Sequence, residues 1–354
     1  MSNLYTDPEL GAEVVTHSSL KVFRRCPKQY DYKYVQRLKP VVVGTPLKRG
    51  VWMHELLEVH HQGGDWRDKH RELCRKYDEL LDDEKDYYGD LPNDLAALMR
   101  SYVWYYADDP WKVLETEFTI ETELPNGVVY RGRVDALVEN QFGLWVADHK
   151  THKTLPDLTF RLLDAQSALY LWALLRKKFG VRGFVWNYLR TTPPSKPKAL
   201  KDGSRLSKVL GDTDYLTYGR GVKQLLDSGQ LARVTPEIKA KLAQLKTERY
   251  RPGEIQTSPF FRRDYLEKQN DLLRRVAQEN YTTVRRIMEY DFTRPDAIER
   301  VVDRSCSYFC AYKDLCAVEL LGGNTNHLRR SAFRVGDPMD YYQDNPNPHE
   351  EQSA

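Results

Sequence analysis

The chain has 354 residues, with 41% hydrophobic and 30% charged residues, which is enough to bury a core as one large domain or two ordinary ones. It contains no run of 18 apolar residues, which argues against a membrane-spanning helix, and its first residues lack the basic and then apolar pattern of a secretory signal. We therefore expect a cytoplasmic protein with reduced thiols and no membrane partner.

Charge is distributed unevenly along the chain, although the net value is only +3. Residues 191–250 carry twelve Lys or Arg and six Asp or Glu, whereas residues 337–354 carry five Asp or Glu and no Lys or Arg. A basic stretch followed by an acidic tail suits a polyanionic partner. It suits equally well a solvated helix face followed by a disordered tail.

The first third is predicted to be helical after an irregular start over residues 1–17. A helix over residues 18–35 would have Ser18 or Ser19 as its N-cap and a kink at Pro27. A second helix is predicted over residues 44–62, and its apolar stripe contains Val51, Leu56 and Leu57. Residues 66–108 have the composition of charged helices.

The middle third changes to the two-residue alternation that is typical of strands. The "PNG" turn at residues 125–127 predicts a hairpin, and Gly180 is a natural helix C-cap. A strand–strand–strand–helix–strand order behind a helix predicts an α/β fold, an αβββαβ core with a mixed sheet. The predicted elements are strands over 111–124, 128–139 and 144–151, a helix over 156–180 and a strand over 181–191.

Two of the predicted neighbouring strands each carry one aspartate within apolar surroundings. Asp148 and Lys150 have the same parity and therefore point to one face of the sheet, and Asp135 on the paired strand can point to that face as well. Two carboxylates and the backbone carbonyl of His149 make a credible set of oxygen ligands for Mg²⁺ or Mn²⁺. Lys150 would stabilise charge that develops on a phosphate.

Side chains on two flanking helices supplement this group. His54 lies on the helix before the sheet and would complete the coordination of the metal. Gln166 and Tyr170 are four residues apart on the following helix, share one face, and are suited to hydrogen bonds with a phosphate or a base. Glu115 and Glu117 on the first strand are a weaker indication of further metal ligands.

The segments "GVWMHELLE", "GRVDALV", "VADHKT" and "QSALY" occur in the order expected of the PD-(D/E)XK nuclease superfamily. They resemble its RecB-type branch most. The resemblance implies a restriction-endonuclease-like core, His54, Asp135 and Asp148 as metal ligands, and Lys150 as the catalytic lysine. It places Gln166 and Tyr170 in the helix motif of the family. Val134 stands where the name of the family has proline, as in many RecB-type members.

Four of the five cysteines have a spacing that suits a metal centre. Cys306, Cys310 and Cys316 form C-x3-C-x5-C, and Cys26 lies near the other end of the chain. Reduced thiols in this number suit a tetrathiolate iron–sulfur or zinc site, and zinc is disfavoured because its sites usually consist of two close cysteine pairs. Cys74 is expected to be structural or incidental.

This split of one early and three late cysteines resembles the iron–sulfur members of the same superfamily. Among them are the AddB nuclease domain and the CRISPR-associated Cas-four exonucleases. The resemblance implies a [4Fe–4S] cluster that ties the ends of the chain together across the nuclease core. The spacing within the triplet departs from the commoner C-x2-C.

The metal site and the resemblance together predict a metal-dependent DNA exonuclease. The resemblance implies single strands or duplex ends as substrate, with recombination, helicase or CRISPR-adaptation proteins as possible partners. The alternatives are a DNA-end-binding module within such an assembly and a zinc-stapled structural protein. Residues 195–295 lie outside the resemblance: Arg262, Arg263, Phe260 and Phe261 are candidates for the wall of a DNA channel, and a helical packing module is the alternative. The predicted parts are a helical part with Cys26 and His54 (1–110), the nuclease core (111–191), a basic helical region (192–295), the cysteine segment (296–322) and a flexible acidic tail (323–354).

Overall fold

Residues 3–109, 111–157, 161–256 and 258–339 are described by a computed structural model. Within them, seven strands form one mixed sheet and two short strands form a second. The strands are β1 (Tyr5–Asp7), β2 (Ala12–Val15), β3 (Leu38–Pro40), β4 (Lys112–Glu123), β5 (Val129–Asn140), β6 (Gly143–His152), β7 (Gly183–Arg190), β8 (Phe261–Leu266) and β9 (Phe333–Val335).

The helices cover both faces of the large sheet. A π-helical turn, Asp31–Val35, directly continues the second of them. The helices are α1 (His17–Arg25), α2 (Pro27–Tyr30), α3 (Thr45–His61), α4 (Trp66–Asp78), α5 (Asp82–Tyr88), α6 (Leu91–Tyr105), α7 (Ala165–Arg176), α8 (Tyr215–Asp227), α9 (Pro236–Thr247), α10 (Asn270–Glu289), α11 (Ser305–Phe309), α12 (Lys313–Leu320) and α13 (Asn326–Ala332).

The large sheet is built around β5 and β6, and it confirms the predicted mixed α/β core. The antiparallel hairpin of β4 and β5 is followed by antiparallel β6, and β7 joins β6 in parallel after the crossover through α7. A parallel neighbour requires such a crossover helix, which is why the helix comes between the third and fourth predicted strands. Strand β8 then adds to β7 in antiparallel orientation.

Strands β5 and β6 diverge at the position of the two aspartates. Their ladder ends at the pair Ala136–Ala147, although both strands continue, and β6 stays paired with β7 as far as His152. The early part of β5 pairs with β2 instead, through Val14 and Val15. A gap therefore opens in the sheet at the positions that follow the last pair, Asp135 and Asp148.

Two apolar layers hold the sheet in place. On one face, α1, α7 and α10 pack over a core that includes Leu137, Val146 and Trp186. A second core joins α3, α4 and α6 and reaches Leu189 and Phe261 at the far end of the sheet. Among the described residues, no helix has both the length and the apolar character that a membrane crossing needs.

Near the N-terminus the structure corrects the predicted boundaries. Residues 5–7 and 12–15 form strands rather than an irregular start. Thr16, not Ser18 or Ser19, caps α1, and Ser19 completes a capping box with it. The first helix also breaks at Cys26, before Pro27, and Val51 proves exposed on α3 while Leu56 and Leu57 are buried.

The crossover helix is shorter than predicted. It starts at Ala165, because Asp164 caps it by accepting a hydrogen bond from the Ser167 backbone N–H. It ends at Arg176 rather than at Gly180, and the left-handed residue just beyond it is Lys178, with a φ of 56°. Residues 158–160 of the predicted helix lie outside the described residues.

Residues 192–295 contain the helices α8, α9 and α10 as expected, but they also supply β8, for which the sequence gives no clear signal. Its Arg263 is not on a DNA-facing wall. The guanidinium is buried, forms an ion pair with Asp109 at 2.7 Å, and lies 3.4 Å from the ring centre of Trp111. Phe260 and Phe261 are buried as well, so these three side chains belong to the core, whereas the side chain of Arg262 is 25% exposed.

The described part of the predicted tail contains a helix and a strand. Helix α13 leads into β9, which pairs with β3 near the other end of the chain. The hydroxyl of Tyr5 donates a hydrogen bond of 2.6 Å to Asp337, which adds a second contact between the two ends. The prediction of a flexible tail was therefore wrong for residues 326–335, and residues 340–354 lie outside the described part.

Candidate active site

Asp135 occupies the gap between β5 and β6 and has two partners there. Its Oδ2 accepts a hydrogen bond of 2.5 Å from the backbone N–H of His149, and its Oδ1 lies 3.3 Å from Nδ1 of His54. The backbone N–H of His149 is free to bind this side chain because the hydrogen-bonded pairing of β5 and β6 ends before it, at Ala136 and Ala147. His54 reaches the carboxylate from α3, whose N-terminus is set by Gly44 and the proline that follows. Asp135 is 7% exposed.

Asp148 is held on the same face of the sheet from two sides. The Lys150 Nζ lies 2.5 Å from its Oδ2, and the Gln166 amide donates to its Oδ1 at 3.0 Å. The same Gln166 amide donates to the Tyr170 hydroxyl at 3.1 Å, and that hydroxyl donates to the backbone carbonyl of Arg133 at 2.8 Å. Gln166 and Tyr170 therefore connect α7 to both aspartate-bearing strands. These internal bonds let both residues position the aspartates, and their contacts with a phosphate or base stay a prediction.

Glu117 on β4 joins the group and contributes the third carboxylate. Its side chain is 6% exposed and pairs with Arg133, and its backbone has a φ of 52°, which is strained for a residue with a side chain. One ligand atom each from His54, Glu117 and Asp135 lie within 4.8 Å of one another. In the described parts of the chain, these three residues are the set of His, Cys, Asp or Glu ligands that meets this distance.

The charges of these groups act strongly on one another. Burial raises the pKa of Asp148 to about 6, and burial together with the charge of Asp135 raises the pKa of Glu117 to about 7. Burial would also raise the pKa of Asp135, but His54 outweighs it and holds that pKa below its usual range. In turn, burial lowers the pKa of His54, and Asp135 outweighs this and raises it to about 9. The pKa of Lys150 is raised by Asp148 against the effect of burial.

The donor set fits a hard divalent cation. The carboxylates of Glu117 and Asp135 meet His54 where the sheet divides, and a divalent cation prefers carboxylate oxygens, which an imidazole can supplement. Among the described residues Asp148 lies outside this group of three, and its carboxylate is paired with Lys150. His54, Glu117 and Asp135 are therefore the side chains that could hold a divalent cation, and Asp148 as a further ligand stays a prediction.

The sequence did not distinguish between the two glutamates of β4. Glu115 is exposed, whereas the side chain of Glu117 is only 6% exposed. Glu117 lies opposite Asp135 in the hairpin, since the pairs Thr116–Ala136 and Phe118–Val134 flank it. Counting back from the "PNG" turn along the hairpin would have revealed this position.

A buried polar network behind β6 was not predicted. The His149 ring stacks on the ring of His61, with centroids 5.2 Å apart, and its Nδ1 lies 2.7 Å from the Asn187 amide. That amide also donates to the Tyr102 hydroxyl at 3.0 Å, and Arg263 reaches the same hydroxyl at 3.3 Å. Burial lowers the pKa of His149 to about 3, so the ring is neutral. The network fixes His149, whose backbone N–H donates to Asp135. The role of the His149 backbone carbonyl as a metal ligand stays a prediction.

Gly132 is required by the Tyr170 ring. A Cβ at Gly132 would lie 2.5 Å from Cε1 of Tyr170, which is buried and tied by its hydroxyl to the next residue of β5. We expect Gly132→Ala to displace this ring, to lower the free energy of unfolding by about 1–3 kcal/mol, and to reduce activity by shifting Gln166 away from Asp148. Urea unfolding and the turnover number measure the two effects.

Gly50 on α3 provides a matched control for this substitution. A Cβ there would meet only the Thr151 Oγ1 at 3.5 Å, an ordinary contact. Gly50→Ala should raise stability by about 0.5–1 kcal/mol through helix propensity. Equal effects of the two substitutions would contradict the role that we assign to Gly132.

The four cysteines that were predicted as cluster ligands line one cavity of about 190 Å³. They are Cys26, Cys306, Cys310 and Cys316, and all are free thiols. Within the described residues, no three of their sulfur atoms come within 4.8 Å of one another, so the structure does not show a compact thiol cluster. Cys74 lies apart on α4, beside the His70 ring. The iron–sulfur centre therefore stays a prediction.

Comparisons with known proteins support the family. The model of the PD-(D/E)XK nuclease superfamily matches residues 14–317. A search of the curated proteins finds no significant match. Among solved structures, the one named "Crystal structure of SSO0001" is 16% identical, covers 61% of this chain and 76% of its own, and has a TM-score of 0.24, too low to carry an argument. The family match spans the divergent strands, α3 and α7 together, and the chain therefore belongs to the PD-(D/E)XK nuclease superfamily.

Proposed function

We propose that this protein is a metal-dependent deoxyribonuclease that degrades DNA from an end. The observation that carries the proposal is the meeting of Glu117, Asp135 and His54 within 4.8 Å, beside the Asp148–Lys150 pair on the adjoining strand. Family membership supports a metal-dependent nuclease. The preference for ends rests on the RecB-type order of the motifs, and the same resemblance is the basis for a role in DNA recombination, DNA repair or phage DNA processing.

The residues of the chain have separate tasks in this proposal. A bound Mg²⁺ or Mn²⁺ would neutralise charge on the scissile phosphate and lower the pKa of the attacking water. Lys150 places a positive charge beside the phosphate and stabilises the negative charge that develops there. The His149 N–H orients Asp135, and Gln166 orients Asp148, so that both carboxylates are fixed before the substrate arrives.

The direct test is cleavage of labelled DNA. Linear single-stranded and duplex DNA, labelled at the 5′ or 3′ end, and a covalently closed circle are incubated with Mg²⁺, with Mn²⁺ or with chelator. We expect linear DNA to be degraded only with metal and the circle to survive. Cleavage of the circle would show an endonuclease. Binding without turnover in every metal would contradict the nuclease and favour a DNA-end-binding module.

We also propose that the four-cysteine cavity holds a [4Fe–4S] cluster. The four thiols line one cavity, which supports a shared centre. The choice of an iron–sulfur cluster over zinc rests on the resemblance and on the sequence spacing, because zinc sites usually consist of two close cysteine pairs.

This part of the proposal is tested by purification without oxygen. A cluster would give a brown protein that absorbs near roughly 400 nm, from thiolate–iron charge transfer, with iron and sulfide in equal amounts. Cys26→Ser should lose the colour, whereas Cys74→Ser should keep it. A colourless protein that contains zinc would reverse the assignment.

A further inference from the structure

The face of the sheet that carries the proposed metal site continues beyond it onto β7 and β8. Directly paired residues of neighbouring strands point to the same side of a sheet, so the register of β6, β7 and β8 defines rows across this face. The first row is Asp148, Trp186 and Asp264, and the second row is Lys150, Tyr188 and Arg262.

Two aromatic rings form the floor between the metal site and β8. Trp186 and Tyr188 are 1% and 0% exposed, and their rings stack with centroids 6.3 Å apart. Three cations lie over them. The Arg161 guanidinium is 4.6 Å from the Tyr188 ring centre and 5.1 Å from that of Trp186, the Lys150 ammonium is 5.3 Å from Trp186, and Arg262 is 5.4 Å from Tyr188.

Two of these cations form ion pairs with a carboxylate of the described residues, and the third does not. Lys150 pairs with Asp148 at 2.5 Å, and Arg262 pairs with Asp264 at 3.0 Å. Arg161 forms no ion pair with any carboxylate of the described residues, and its buried Nε has no hydrogen-bond partner among them. Three positive charges thus meet two negative ones over the aromatic floor, which leaves an excess of positive charge beside the proposed site.

The floor itself contains two polar atoms that lack partners. The Trp186 Nε1 and the Tyr188 hydroxyl are both buried, and neither has a hydrogen-bond partner within the parts of the chain that the structure describes. A buried donor without a partner destabilises the folded protein, because it has lost its hydrogen bonds to water. Both atoms can donate to an anion, and an indole N–H can only donate. They are observations independent of Arg161 that indicate the same kind of ligand.

We propose that Arg161, above Trp186 and Tyr188, binds a backbone phosphate of the DNA one or two linkages from the scissile phosphate. The proposal rests on the nuclease function above and adds a substrate contact to it. Neighbouring strands lie about 4.8 Å apart, so a position over β7 is within one or two nucleotides of a phosphate at β6. The planar guanidinium matches two phosphate oxygens at once, and the aromatic rings below fix its plane.

The first test measures how DNA binding depends on salt. The full chain is titrated with a labelled single strand between 50 and 200 mM salt, without divalent metal, so that no cleavage occurs. The logarithm of the binding constant falls with log [salt], and each lost phosphate contact makes this negative slope shallower by about 0.7 for single strands. Arg161→Ala should make the slope shallower by this amount and weaken binding about 10-fold. Arg161→Lys should keep the slope and recover part of the affinity.

The second test locates the phosphate. Single linkages near either end of the strand are replaced, one at a time, by a neutral methylphosphonate. Wild-type protein should lose about 10-fold in affinity at one position, and Arg161→Ala should be insensitive to the replacement at that same position. Equal losses for both proteins at every position would overturn the assignment.

A matched control separates this contact from general loss of charge. Arg71 is 69% exposed and pairs with Asp68 on its own helix, so Arg71→Ala should keep the wild-type slope. If wild-type protein cleaves DNA while Arg161→Ala binds with an unchanged salt slope, the proposed phosphate contact is wrong and the proposed nuclease function stands. If the wild type and Arg161→Ala differ in slope as expected but the wild type never cleaves DNA, the proposed nuclease function is wrong. Should the alanine variant not fold, Arg161→Gln takes its place.

Discussion

Asp148→Asn is expected to abolish cleavage while the protein stays folded. Asparagine keeps the size of the side chain and can still accept the hydrogen bond from Gln166, but it removes the negative charge that faces Lys150 and that we expect to bind the metal. Loss of one pre-organised electrostatic contact costs about 10²–10³-fold in turnover, and loss of a metal ligand should reach the upper end. Steady-state kinetics at saturating metal measures the turnover number, and calorimetric titration with Mn²⁺ measures the affinity for the ion.

A buried aspartate elsewhere in the chain shows whether this effect is specific. Asp31 is 2% exposed, as is Asp148, and it also pairs with a lysine, Lys28, at 3.5 Å. Asp31→Asn should lower stability and leave the turnover number of the folded protein unchanged. If Asp148→Asn cleaves DNA at more than a tenth of the wild-type rate with saturating metal, the carboxylate is not a ligand that the reaction needs.

Glu319→Gln is expected to destabilise the protein by about 3 kcal/mol. Glu319 on α12 joins the two ends of the chain. Its carboxylate lies 2.5 Å from the ammonium of buried Lys28 and 2.9 Å from Arg300, and it accepts a hydrogen bond of 2.8 Å from the Tyr32 hydroxyl. Without the negative charge, Lys28 keeps Asp31, a backbone carbonyl and the ring of Tyr32 as its partners among the described residues. Urea unfolding followed by circular dichroism measures the loss.

A triple substitution distinguishes the stranded charge from lost packing. Replacing buried ionic partners together is often neutral, whereas removing one partner alone is costly. Because Lys28 also pairs with buried Asp31, Lys28→Met combined with Asp31→Asn and Glu319→Gln should recover much of the stability that Glu319→Gln loses. Glu289→Gln is the surface control, because its pair with Arg285 is exposed on both sides and should contribute nothing measurable. A loss for Glu319→Gln below about 1 kcal/mol would mean that solvent already screens the pair.

The sequence was sufficient for the core because its signals are local. Period-two alternation and the "PNG" turn set the hairpin of β4 and β5, and parity placed Asp148 and Lys150 on one face. The same signals fail where tertiary contacts override them. Helix α7 begins only at Ala165 because Asp164 caps it, and Lys178 adopts the left-handed conformation that was expected of Gly180.

Charge patterns were the least reliable guide. Arg263 lies in a basic stretch and was expected near DNA, yet it is buried against Trp111 and paired with Asp109, because β8 completes the sheet there. A count of charges along a chain carries no information on burial. Arg161, which no motif singled out, is by contrast left without a carboxylate among the described residues.

The sequence by itself determined the order of elements, the family motifs and the face that Asp135, Asp148 and Lys150 share, because spacing along a strand or helix fixes the direction of side chains. Only the tertiary structure decided that β5 and β6 separate at the aspartates, that Glu117 joins them, and that the four cysteines line one cavity without converging. These features depend on distances between segments far apart in the chain. Such distances are set by packing and strand pairing rather than by local pattern.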